Sequence, residues 1–167
     1  MKAPVLFLLL LAVSQSASAQ HNAPLTHTRA PIVIRKAPTP MRLDGVLDET
    51  AWQMAQMETG FHRQFPVDTG LTEQQTEVRV TFDDHYLYVG AVVWQPRSDY
   101  TVQSRRRDFA PGTSDVFNIL LDPTKDGLNG FAFGISPLNI QREGLIANGT
   151  TLSFEWDNKW DSKVTNY

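Results

Sequence analysis

The chain has 167 residues, 15 of them basic and 18 acidic, for a formal charge of −3, and it contains no cysteine. The missing cysteines exclude disulfides, Fe-S clusters, Cys-zinc sites and a lipid anchor on a cysteine. The mild acidity gives no electrostatic reason to expect nucleic acid or an anionic membrane as partner.

The first nineteen residues combine Lys2, the apolar run Val5 to Val13 and the small residues Ala17, Ser18 and Ala19. This is the three-part pattern of a secretory signal, with cleavage expected after Ala19. The apolar stretch is shorter than the about 20 residues a transmembrane helix needs, and no second candidate follows, so no membrane insertion by this segment is expected. The mature chain, from Gln20, is expected in the periplasm, at the outer membrane or outside the cell. Its length suits one domain.

Residues 20–40 are proline-rich and polar and read as an extended leader, with an edge strand through Ile32 to Arg35. A short helix is predicted near residues 48–57: Asp48 can cap it, Glu49 suits its positive end, Ala51, Trp52 and Ala55 share a face, and Gly60 stops it. Trp52 is expected in the core. The period then changes to two. Val78, Val80 and Phe82 alternate with polar residues, Asp83-Asp84-His85 turns the chain, and Tyr86 to Trp94 is rich in aromatic and β-branched residues.

Val116 to Leu121 is a nearly continuous apolar run. Asn129-Gly130 gives a tight-turn signal before Phe131, Phe133 and Ile135, and Thr151 to Trp156 and Lys163 to Tyr167 are weaker strand candidates. The pattern predicts an all-β fold, an antiparallel β-sandwich of jelly-roll-like character with one short helix, over residues 41–167.

Four segments in order carry a resemblance: LDGVLDETAW from Leu43, TEVRVTFDDHYLYVGAVVW from Thr76, SDVFNILLD from Ser114 and NGFAFGISP from Asn129. Together they resemble the family 9 carbohydrate-binding modules and their relatives, in particular those at the N-terminus of large exported bacterial proteins of unknown function. An RRRD-like segment (Arg105 to Asp108) and a Trp-containing segment (Glu155 to Asp161) recur in that subtype. The resemblance runs from about Ile32 to the end. It implies a sugar-binding sandwich, in some members with structural calcium, tethered to a catalytic domain or to a C-terminal β-barrel. Sandwiches of that family continue with at least one more strand, so the resemblance implies that the last strand lies beyond Tyr167.

Sugar rings stack their C–H faces on aromatic rings while neighbouring polar groups take the hydroxyls. Trp156 and Trp160, flanking Asp157 and Asn158, fit that recipe, with Arg106 as a further hydrogen-bond donor; the competing reading is that these indoles are core or lid residues. The run Arg105 to Arg107 could clamp the carboxylate of an acidic sugar such as a uronic acid, or be a strand edge whose alternate side chains pair with Asp108 and Asp115 or stay solvated.

Asp44 and Asp48, bracketing a glycine turn, are the best calcium ligands, although aspartate is common in turns and caps generally. No carboxylate pair, nucleophile elbow or histidine cluster stands out, so the segment is expected to be non-catalytic. The expected function is binding of an oligosaccharide or polysaccharide, linked to carbohydrate catabolism through an attached hydrolase or membrane partner. Two rivals remain: a structural or interaction domain preceding an outer-membrane β-barrel, and a haem-binding redox module using Met54, Met57 or His85.

Overall fold

The structure is a computed structural model that describes residues 30–63, 70–95 and 99–166. The expected signal at 1–19 and most of the leader, including His21 and His27, lie outside the described residues. The chain divides at Pro31, and the unit Ile32–Tyr167 holds every element named below.

The fold is all-β, with two mainly antiparallel four-stranded sheets and one short helix. In the first sheet β3 (Gln75–Phe82) and β4 (Leu87–Trp94) pair antiparallel over all eight residues. The other edge of β3 takes two short strands end to end: β1 (Arg35–Lys36), parallel, and β2 (Met57–Glu58), antiparallel. The second sheet is a meander of β5 (Phe117–Leu121), β6 (Gly130–Ile135), β7 (Gln141–Ala147) and β8 (Thr151–Ser153).

The helix α1 covers only Thr50–Met54. Its N-cap is Glu49, without a side-chain cap bond, and it ends at Ala55, which is already extended. Two expectations are corrected here. Asp48 does not cap, because the Arg42 guanidinium holds its carboxylate at 2.9 Å. Gly60 does not stop the helix, because Met57 and Glu58 leave helical geometry to pair with Arg79 and Val78; inter-strand hydrogen bonds outweigh the good helix propensity of Met and Glu, which is worth only tenths of a kcal/mol per residue.

Ala51 and Trp52 are buried, as expected of Trp52. A side chain at Gly90 would meet Leu47 and the Trp52 ring at 3.0–3.2 Å, so the indole and Leu47 fill the space that this glycine leaves on β4. Gly90 is opposite Arg79. The helix therefore covers the face of β3 that carries Arg79 and the buried Thr81, not the face of Val78, Val80 and Phe82. Covering Trp52 contributes about 2–3 kcal/mol.

The turn Asp83 to Tyr86 is closed by one carboxylate. Asp83 accepts the backbone N–H of His85 at 2.7 Å and of Tyr86 at 2.8 Å, and the Tyr88 hydroxyl at 2.7 Å. Between β5 and β6 the expected Asn129-Gly130 turn is replaced by a loop built on two aspartates. Asp122 accepts the Gly127 N–H, and Asp126 accepts the N–H groups of Leu128 and Asn129. Gly130 is the first residue of β6, where a side chain would strike the Leu121 carbonyl at 2.5 Å.

Three further differences concern strands. β7 has no counterpart among the predicted strands, and residues 163–166 form no strand, although Thr165 and Asn166 hydrogen-bond to the carbonyls of Asp44 and Pro137. β8 stops at Ser153, since the chain beyond it leaves the ladder to cross the sheet.

Candidate functional site on the second sheet

Alternation along the second sheet gives it two unlike faces. One carries Phe117, Ile119 and Leu121 from β5, Phe131, Phe133 and Ile135 from β6, and Gln141, Glu143 and Leu145 from β7. The other carries Asn118 and Leu120, then the small row Gly130, Ala132 and Gly134, then Arg142, Gly144 and Ile146.

The aromatic face is crossed by residues 156–162. Trp156 lies 5.1 Å from the Phe131 ring and 6.1 Å from Phe133, and Trp160 meets Phe133 edge-on at 5.4 Å. Beneath them the Glu143 carboxylate is fully buried. It accepts the Trp160 indole N–H at 3.1 Å, the Asn158 backbone N–H at 3.2 Å and the Arg107 guanidinium. Burial pushes this carboxyl up, but the bonds from Arg107, Trp160 and Asn158 outweigh it and hold Glu143 below its ordinary value. Arg107 also donates to Gln141 and to the Asn158 carbonyl, which locks the crossing segment to β7.

The sequence-predicted residues therefore separate. Trp156 and Trp160 come together on the aromatic face as half-buried rings resting on phenylalanines, and Asn158 contributes through its backbone. Asp157 and Arg106 are exposed, and it is Arg107, one residue along, that binds Glu143. The basic run is not a strand edge. Arg107 is 3.9 Å from Asp108, while Asp115 accepts the Thr101 N–H rather than an arginine. Trp94, at the end of β4, is 61 % exposed.

Asp44 and Asp48 both face Arg42, at 3.9 and 2.9 Å, so a guanidinium stands where a cation would sit between them. The bond to Glu49 and then the charges of Asp48 and Asp44 raise the Arg42 guanidinium further. No cluster of three or more His, Asp or Glu around one point is present among the described residues. The sulfur of Met57 accepts from Arg79, and His85 packs against Tyr86 on the turn before β4.

The opposite face holds a shallow groove of about 140 Å³ lined by Asn118, Leu120, Ala132, Gly134, Arg142, Leu152 and Phe154. Asn118, Gly134 and Arg142 stand in one row across three strands. Gly134 makes the row possible: a side chain there would lie 2.7 Å from the Asn118 amide oxygen and 2.9 Å from the Arg142 stem. With nothing in the way, the arginine reaches over β6 and its Nη2 donates to Asn118 Oδ1 at 3.1 Å.

The Arg142 guanidinium carbon is 5.1 Å from the Phe109 ring and 5.4 Å from the Phe154 ring, within cation–π range of both. Its other terminal nitrogen, Nη1, is buried without an acceptor. Burial holds this guanidinium below its ordinary value. The groove thus has an apolar and aromatic rim, a floor of small residues, and two polar side chains. Such a combination suits a ligand with both C–H and oxygen faces.

Comparison with protein families, with curated proteins and with solved structures finds no match for the chain.

Proposed function

We propose that this chain is a non-catalytic carbohydrate-binding module of an exported protein, of the family 9-like kind, which holds a saccharide for an attached hydrolase or membrane partner. The observation that supports this reading is the Asn118–Gly134–Arg142 row at the groove. An amide and a guanidinium converge there beside the Phe154 ring, which can stack on the C–H face of a sugar while the polar pair takes its hydroxyls.

The non-catalytic part rests on the lining. Among the described residues no carboxylate lines the groove, whereas glycoside hydrolysis uses two flanking the scissile bond. The nearest buried carboxylate by sequence, Glu143, lies on the other face and is bound to Arg107. Trp156 and Trp160 then serve the module by fixing the crossing segment, and the ligand sits on the opposite side of the sheet.

Titration calorimetry of the full chain against a panel of mono- and oligosaccharides tests this. Binding is expected, lost in Phe154→Ala and kept in Trp156→Phe. Absence of heat with every saccharide overturns the reading, and a loss confined to the tryptophan variant moves the site to the aromatic face.

A further inference from the structure

We infer that the groove takes an acidic saccharide and that Arg142 receives its carboxylate. This deepens the carbohydrate reading above and rests on it. Arg142 is 7 % exposed, and arginine is almost never buried to that degree without a charged partner. Here its one side-chain acceptor is a neutral amide, Asn118, and no ion pair to Arg142 occurs among the described residues.

The side chains around it are equally neutral. Phe109 and Phe154 flank the guanidinium, and Leu120, Leu152, Ala132 and Gly134 complete the groove. The neighbouring carboxylate cannot help, because Glu143 follows Arg142 on β7 and so points to the other face, where Arg107 occupies it. One positive charge therefore stands on this face with an unused donor, Nη1, and no counter-charge.

A buried cation without an anion is costly to the fold, and an arrangement that keeps it beside an open groove fits a ligand that brings the anion. The row geometry supports the same assignment. Gly134 holds the arginine stem across β6, so the charged head is placed by the sheet rather than by a flexible loop. Asn118 Nδ2 bonds nothing among the described residues and remains to donate to a ring hydroxyl or to the second carboxylate oxygen. A carboxylate on a sugar ring supplies what the site lacks: two in-plane acceptors for guanidinium hydrogens, next to a C–H surface for Phe154.

The test is calorimetry of the full chain with oligogalacturonate, with the neutral galactose oligomer of the same length and with a sulfated oligomer. The uronate is expected to bind about tenfold or more tightly than the neutral oligomer. Arg142→Met is expected to abolish that preference while melting at the same or a higher temperature, because it removes an unpaired buried charge. Equal affinity for uronate and neutral oligomers, or a preference that survives Arg142→Met, overturns the acidic assignment and leaves the carbohydrate reading standing. Equal affinity for the sulfated oligomer overturns the carboxylate. No binding of any saccharide overturns both. If Arg142→Met does not fold, the Arg142 Nε–H resonance of the wild-type chain decides. It is expected to shift on adding uronate and not on adding the neutral oligomer, and the absence of a shift under uronate sinks the inference.

Discussion

Arg142 and Glu143 are neighbours on β7 and are both buried, yet their charged groups never meet, because the pleat sends one to each face of the sheet. Glu143 is met by Arg107, Trp160 and the Asn158 N–H, whereas Arg142 keeps a terminal nitrogen with no acceptor. The contrast assigns them different work. The satisfied carboxylate anchors the crossing segment, and the unsatisfied guanidinium belongs to the groove.

Glu143→Gln is expected to cost about 3 kcal/mol, since it removes the anion that Arg107 and the indole were arranged around. It also changes the acid limb of stability. The folded Glu143 carboxyl lies below its ordinary value, so its stabilisation is fully present above the unfolded pKa and is lost as pH falls through the folded one. Urea melts at neutral and acidic pH should show the wild-type advantage over the glutamine variant shrinking toward acid. A pH-independent difference would remove the ionic role.

Gly134→Ala is expected to lose the preference for uronate and about 1–3 kcal/mol of stability, because the new methyl group falls 2.7 Å from Asn118 Oδ1 and 2.9 Å from Arg142 Cγ. The loss of preference should match that of Arg142→Met. An undiminished preference would show that the arginine does not need the path across β6.

Trp156→Ala should lower stability by about 2–3 kcal/mol through lost packing on Phe131 and Phe133, with saccharide affinity in the folded fraction unchanged. Thermal denaturation and calorimetry on the same sample separate the two effects. A variant as stable as wild type but unable to bind would restore the indole as the stacking platform.

Tyr88 is pushed up to about 12, by burial first and then by its bond to Asp83 and the negative charge there. The raised value means that its contribution is whole below the unfolded pKa near 10 and is lost as pH rises toward 12. Asp83→Asn removes the charge but not the burial, so ultraviolet titration should bring the phenol part of the way back. The turn should also weaken, because the carboxylate that accepts three donors is gone. An unchanged phenol would mean that burial alone sets it.

Strong local alternation made β3, β4, β5 and β6 legible, because each follows a period of two or a short apolar run that needs no knowledge of its neighbours. The single buried indole at Trp52 was an equally local reading. β7 could not be read that way. Gln-Arg-Glu-Gly has no apolar alternation, and it becomes a strand because β6 pairs it, while β8 pairs only the Leu145–Ala147 end of β7. The candidate site follows the same division. The Trp-rich segment was visible by composition, but its seat on Phe131 and Phe133 depends on a chain crossing about twenty-five residues away in sequence. Arg142 and Asn118 are 24 residues apart and meet only through the register that sets Gly134 between them. Sequence by itself determined which segments would be strands wherever each strand's own pattern sufficed. Tertiary pairing decided which charges are buried and on which face, because register and pleat belong to the sheet and not to any one strand.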